Sequence, residues 1–411
     1  MNFPDGLQYI KGHEEYLPDR NCIKLNQSLY GLVQAAREWW RKLTGILRKI
    51  GFTGGNVDPC LMFYKSKKGQ VFMAIYVDDC LCVGDDDAID EVIKKIKQEG
   101  LKLKIEANLE DYLNCQIVFS EDKRRAWLGQ PDITDRIVKK FGKMVEELKE
   151  YGTPGTPNMG IIRKFEEDVA VTDEEQALYR SGVGTLLYLV KHSRPDIANV
   201  TQELSKTTDK ASKAGLKELK RVLKYVIDTK EYGLKIEPKI DELTNWKMVM
   251  YTDSDYAGDK DTRISVTGYI LFLCGVPIAW KSKAQKSVSL SSSEAEYVAL
   301  SEAVKEIRFV YYLLTSFGIN VVLPIKVRVD NIGAMFMSEN VTTSNRTKHV
   351  DTRYNYVREF VEDKFIEITF VRSEDNYADI FTKNVKKEVL DNHKGVMIGT
   401  ESDIKDNDED S

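Results

Sequence analysis

An apolar run at 246–251 leads straight into Thr252-Asp-Ser-Asp-Tyr-Ala-Gly-Asp259. The run reads as a strand, and Asp253 falls where that strand should end. Three more acids recur in comparable settings. Glu296 opens a long helix, Asp330 follows the strand-like Ile325-Lys-Val-Arg-Val329, and Asp379 sits in a late short helix. Four carboxylates delivered from four elements make a constellation for holding divalent metal, and the alternating strands and helices that carry them read as an α/β layout with a mixed sheet. Acids at the carboxyl ends of such strands share a crevice. Magnesium prefers oxygen ligands, and two such ions about 4 Å apart hydrolyse phosphodiesters. The set therefore points to metal-dependent phosphoryl chemistry.

Each acid also has a plainer reading. Ser293-Glu-Ala-Glu296 is a capping box, in which Glu296 closes its own helix. Against this, Glu296 leads into Leu300, Ala303, Val304 and Ile307, the stripe that faces the sheet. Glu294 lies about 200° round the helix and faces water. Asp330 alternatively caps the helix that follows it. Asp379 alone is a surface acid, and Asp255 and Asp259 are turn residues. The ordered set carries the argument.

A second acidic feature lies upstream. Val77-Asp78-Asp79 is a tight turn between apolar strands at 71–76 and 80–83. Before it, Ala35, Trp39, Leu43, Leu47 and Ile50 mark an amphipathic helix with a basic outer face, ended by Gly51. Helical patterns return at 87–100, 132–141, 176–190, 195–206 and 213–228, with strands near 101–119 and 126–128. Residues 149–175, rich in Gly and Pro, read as a linker. From 246 the order is three strands, a helix at 293–317, a strand at 325–329, a helix from 331 and another at 351–363, a strand at 364–371 and a closing helix near 375–383.

The net charge of −5 does not advertise nucleic-acid binding, although Lys and Arg cluster at 37–49, 94–104, 136–143 and 217–224. The last twelve residues hold six acids against one Lys. No apolar run approaches the roughly 18 residues of a membrane span, and no signal peptide is visible, so an intracellular protein without a membrane partner is expected. Six cysteines without CxxC spacing read as free thiols rather than a zinc site.

Tyr-Thr-Asp253, Ala-Glu296-Tyr-Val-Ala-Leu, Val-Asp330-Asn and Asn376-Tyr-Ala-Asp379 resemble the acidic series of ribonuclease H. Arg263-Ile-Ser-Val-Thr-Gly-Tyr269, Trp280-Lys-Ser-Lys-Ala-Gln285 and Ala378-Asp-Ile-Phe-Thr-Lys383 resemble the C-terminal portion of the copia-type LTR retrotransposon Pol polyprotein. Tyr76-Val-Asp-Asp79 resembles the YxDD hairpin of reverse transcriptases. Ser28-Leu-Tyr-Gly-Leu-Val-Gln-Ala-Ala-Arg-Glu-Trp39 resembles the LYGLKQAPRxW segment, with Val33 for its Lys and Ala36 for its Pro.

The resemblance implies an α/β and α+β multidomain chain. Residues 1–148 would be a partial reverse transcriptase, with palm remainder and start of thumb. Residues 149–244 would be linker and helical thumb or connection, 245–385 a ribonuclease H-like mixed-sheet domain, and 386–411 a disordered acidic tail. It implies two magnesium ions per site, with manganese as an alternative. Asp253, Glu296, Asp330 and Asp379 would be nuclease ligands, and Asp78 and Asp79 polymerase ligands. His349, in Lys348-His349-Val-Asp351, is a candidate catalytic residue, against a structural role. Implied partners are RNA–DNA hybrid, template–primer and other Pol parts, in a cytoplasmic virus-like particle and the nucleus. A polymerase of this family needs a further Asp upstream of the LYGL segment. The only upstream acids are Asp5, Glu14, Glu15 and Asp19, so loss of polymerisation is expected. The remaining alternative is an inactive, decayed or co-opted nucleic-acid-binding remnant.

Overall fold

The computed structural model describes residues 28–29, 31–106, 109, 111–157, 171–239, 245–259, 262–339 and 348–405. They fall into two compact units, up to Ile105 and from Glu106 onward.

In the first unit, α1 (Ala35–Lys49) and α2 (Asp86–Gln98) pack on an antiparallel sheet of β1 (Thr53–Gly54), β2 (Leu61–Ser66), β3 (Gly69–Tyr76) and β4 (Asp79–Gly84). Strand β3 buries Val71, Met73 and Ile75, every second residue, as a half-buried strand must. These join Leu43 and Leu47 of α1 and Ala88, Val92 and Ile96 of α2 in one core.

The second unit opens with β5 (Asp111–Tyr112), β6 (Cys115–Phe119) and β7 (Ala126–Gly129). Four helices follow: α3 (Pro131–Val145), α4 (Asp173–His192), α5 (Ala198–Ser205) and α6 (Lys213–Asp228). Helix α4 starts at a capping box, Thr172 with Glu175. The helices share a core of Ile137, Phe141, Leu186, Leu189, Leu219 and Val222. After β8 (Gly233–Ile236) come β9 (Met248–Asp255), β10 (Val266–Leu273), β11 (Val276–Ala284), α7 (Ser292–Ser316) and β12 (Ile325–Val329). Then come α8 (Ile332–Glu339), α9 (Lys348–Glu362) and β13 (Ile366–Phe370).

The larger sheet runs β11-β10-β9-β12-β13. Its first two pairings are antiparallel and its last two parallel, the mixed sheet expected for a ribonuclease H-like domain. Helix α7 lays Tyr297, Leu300, Val304 and Ile307 against Met250, Leu271 and Val327 on one face. Ile270, Phe272, Ile380 and Phe381 pack on the other.

Three expectations need correction. The 386–411 stretch is ordered over its described part. It forms α10 (Lys387–Lys394), β14 (Ile398–Gly399) and α11 (Glu401–Lys405), and buries Leu390, Met397, Ile398 and Ile404. Strand β14 pairs with β8 and completes a second antiparallel sheet, β14-β8-β7-β6-β5, where Trp127 Nε1 donates to the Gly399 carbonyl. A few well-spaced apolar anchors outweigh the acidic composition. The 149–175 linker is not loose at its start. Thr153, Pro154 and Gly155 are buried, and Glu218 and Arg221 of α6 hold Thr156 and Thr153 by hydrogen bonds. The closing helix near 375–383 is two short 3-10 turns, Ser373–Asp375 and Asp379–Phe381. Among the described residues, no helix is long and apolar enough to cross a membrane. The five described cysteines are free.

Candidate functional site

Strand β9 does not stop at Asp253. It runs on to Asp255, so Asp253 sits inside the ladder, opposite Gly268 of β10. Thr382 Oγ1 donates to Asp253 Oδ2. Asp379 begins the 3-10 turn that presses on this face, and Lys383 Nζ reaches its Oδ2 at 2.9 Å. Asn376, fully buried, fixes the turn's approach. Its Nδ2 donates to the Thr252 carbonyl (3.1 Å), and its Oδ1 accepts from the Ala378 N–H (3.1 Å). Asp330 follows β12 and accepts from Ser373 Oγ at 2.7 Å. Carboxylate oxygens of Asp253, Asp330 and Asp379 all lie within 4.8 Å of one another.

Glu296 is not a member of that closest group. It is buried beside it, and its Oε1 accepts from the Ser254 N–H at 3.2 Å. Its capping alternative fails, because Ser291 is the N-cap and its Oγ accepts from the Glu294 N–H. Glu294 in turn takes the Leu290 N–H. The capping alternative for Asp330 fails likewise, since Asn331 Oδ1 accepts from the Ala334 N–H at the start of α8. Both acids are thereby left for other work. Asp255 and Asp259 stay out of the group, and Asp259 Oδ1 accepts from the Thr262 N–H within its turn.

The electrostatics fit a cation site. Burial, then the neighbouring Asp379 and Asp330, push the Asp253 carboxyl up to about 7. Burial, then Asp253 and Asp330, push Glu296 up to about 9. Burial opposes charging Lys383, yet Asp253 and Asp379 raise its pKa on balance. Among the described residues, Glu296 Oε2 and Asp379 Oδ1 are buried without a hydrogen-bond partner. Orphaned carboxylate oxygens in a crowd of like charge are what a divalent ion relieves, and an all-oxygen donor set suits magnesium.

A pH dependence follows for the metal-free protein. Asp253 and Glu296 have folded-state pKa values above their ordinary 3.8 and 4.5, so the folded state holds protons that the unfolded chain releases. Their stabilising contribution is fully present below those ordinary values. It is lost as pH rises through about 7 for Asp253 and about 9 for Glu296. In EDTA the melting temperature should fall by about 5 °C between about pH 5 and about pH 8, and magnesium should restore part of it. A flat profile by calorimetry would contradict this account.

In the first unit, Asp78 and Asp79 lie exposed at the β3–β4 hairpin, where Tyr76 pairs with Asp79. Val77 takes a left-handed φ of 55°, costly for a β-branched residue. Trp39 Nε1 donates to the Val77 carbonyl at 2.6 Å, tying α1 to the turn. Among the described residues, no third acid joins this pair in a metal-ligating group. Val33 is fully exposed, and His349 falls in α9 with its side chain outside the described residues.

Gly268, Thr382, Lys383 and Asn376 were not singled out as site residues by the sequence reading. Their signal was adjacency: three of them stand within four residues of Asp379, inside the Asn376–Lys383 stretch quoted for its acid.

Residues 9–154 match the family model described as reverse transcriptase (RNA-dependent DNA polymerase). The chain is 32% identical over 393 residues to the retrovirus-related Pol polyprotein from transposon TNT 1-94 of Nicotiana tabacum, covering 94% of this chain and 28% of that polyprotein. It is 31% identical over 378 residues to the corresponding polyprotein from transposon RE1 of Arabidopsis thaliana, covering 91% and 25%. The chain thus spans about a quarter of the length of these relatives. Among solved structures, the LC11 ribonuclease H1 isolated from compost is similar at 16% identity and a TM-score of 0.27, covering 36% of this chain and 96% of that one.

Proposed function

We propose, for a chain that belongs to the copia-type Pol polyproteins of transposons, that the second unit is a nuclease cleaving the RNA strand of RNA–DNA hybrids. Asp78 and Asp79 are, on the same reading, metal ligands of an RNA-directed DNA polymerase. The nuclease reading rests on one observation, the meeting of Asp253, Asp330 and Asp379 with buried, orphaned oxygens around them.

Those three acids would hold magnesium, or manganese in its place, with Glu296 beside them. When bound, a pair of such ions supplies an activated water and steadies the leaving oxygen. The chain's own groups do the positioning. Thr382 orients Asp253, Ser373 orients Asp330, and the Ser254 N–H orients Glu296. Lys383 brings a positive charge beside Asp379, suited to a phosphate oxygen of a bound strand. His349 is kept as a candidate for proton transfer. Hybrid, template–primer and other Pol parts are the proposed partners, and an intracellular particle and the nucleus the proposed places.

Purified full-length chain at micromolar concentration should cut the RNA of a labelled hybrid in magnesium and stop in EDTA. Binding of the hybrid without any cut would leave the alternative, a nucleic-acid-binding remnant.

A further inference from the structure

The turn that carries Asp379 ends in Thr382-Lys383-Asn384, and the backbone there is gripped from outside the nuclease sheet. Asn199, on the first turn of α5, is 3% exposed. Its amide can be drawn two ways: in one, Nδ2 donates to Asn384 Oδ1 (3.2 Å), but only the other matches the fixed roles of the backbone groups it meets. In that orientation Nδ2 donates to the Thr382 carbonyl (3.3 Å) and Oδ1 accepts from the Asn384 N–H (3.2 Å), with the Asn384 amide turned so that its NH₂ rather than its oxygen meets Asn199 Oδ1. One side chain thus brackets the peptide units on both sides of Lys383. Its neighbour Ala198 packs in the same core as Ile380 and Phe381, so α5 bears on the turn by packing as well. From the other side, a β-carbon on Gly155 would meet Asn384 Oδ1 at 2.3 Å, so the 153–155 loop lies close against the Asn384 side chain.

We infer that Asn199 is a positioning residue of the carboxylate site: it holds Thr382 on Asp253 and Lys383 on Asp379. The inference rests on the nuclease reading for its purpose, but not for its test. The helical stretch before the sheet is then part of the site. It is more than a spacer between two enzymes, and a nuclease unit defined from residue 245 onward lacks one of its supports.

The chemistry favours a specific effect over a general one. Asn199 borders a cleft lined also by Val200, Lys383 and Asn384. Truncation to Ala therefore opens space that water can enter, and the two backbone groups exchange a fixed partner for a mobile one. Supports of metal ligands typically tune affinity by about 10–100-fold.

The test is manganese binding by the full chain, read by calorimetry and by the electron paramagnetic signal of free Mn²⁺, with Asp253→Asn defining the background. Asn199→Ala should weaken the Asp253-dependent site about 10-fold. Val200→Ala, an equally buried neighbour, should lower the melting temperature and leave Mn²⁺ affinity within about twofold. If the wild-type chain cleaves hybrid, Asn199→Ala should lower kcat about 10-fold with KM for hybrid unchanged. Wild-type affinity in Asn199→Ala, an equal loss in Val200→Ala, or no Asp253-dependent Mn²⁺ in the wild type would each overturn the inference. A chain that binds Mn²⁺ but cuts no hybrid defeats the nuclease reading alone, because Asn199 is still judged by affinity.

Discussion

Replacing Asp253 with Asn should lower magnesium-dependent cleavage of hybrid RNA by about 10³-fold or more and raise the melting temperature of the metal-free protein. The two effects have one cause. Asp253 is 4% exposed and crowded by Asp379 and Asp330, so its negative charge is unfavourable until a cation arrives. Asn keeps the shape and can still accept from Thr382 Oγ1, but it brings no charge to the metal. One pKa unit corresponds to about 1.4 kcal/mol, so relief of part of the shift should stabilise the apo form by about 1–2 kcal/mol near neutral pH. The variant should also flatten the apo pH profile between about pH 5 and about pH 7. Lower stability in EDTA would mean that Asp253 is not held against repulsion, and the metal reading of the cluster would lose its physical basis.

Gly268→Ala should lower cleavage by about 100-fold with the fold retained. Gly268 pairs with Asp253 across β9 and β10. It is not among the residues with positive φ, so its lack of a side chain serves space rather than backbone freedom. A β-carbon there would meet Thr382 Cγ2 at 2.6 Å, Phe381 Cβ at 2.9 Å and the Ala378 carbonyl at 3.0 Å. All three contacts belong to the tightly tied turn, and two of them, Phe381 Cβ and the Ala378 carbonyl, are fixed by the backbone and cannot rotate away like the tip of a flexible side chain. The turn must lift, and Asp379 lifts with it, away from Asp253 and Asp330. Overpacking of this kind costs about 1–3 kcal/mol, within what a domain with two hydrophobic faces on its sheet can absorb. Unchanged activity and Mn²⁺ affinity in a folded Gly268→Ala protein would show that the turn's seating does not set the site.

What the sequence made legible follows from local pattern. Helix 213–228 and strand 325–329 were readable to the residue, because apolar spacing and flanking signals agreed. The four acids were legible as an ordered set, and three of them do converge. Glu296 was ambiguous because Ser293 stands three residues before it as a capping-box partner, and the geometry selects Ser291 as the cap instead. Strand β8 was invisible. Gly233–Ile236 is four residues long, and its identity is conferred by partners at 126–128 and 398–399, which no local window contains. The tail misled for a related reason: its composition is acidic, while its four buried apolar anchors act one at a time. The 375–383 stretch showed enough spacing for a helix, but Asn376 spends its side chain on β9, and the segment tightens into 3-10 turns instead.

The pairing of β14 with β8, and of β8 with β7, makes the second unit a closed loop of chain. Residues near 127 and 399 share one sheet, so its outermost strand cannot be laid down until residues 398–399, about 270 positions after β7, have been synthesised. Such distant pairing is slow to find, and the unfinished edge beside Leu234 is exposed meanwhile. The same closure works in reverse after folding. A protease that nicks the chain between 130 and 230 severs the backbone without releasing the part that carries the carboxylate site, because β7 and the last strand remain bound to β8 as strands of one sheet.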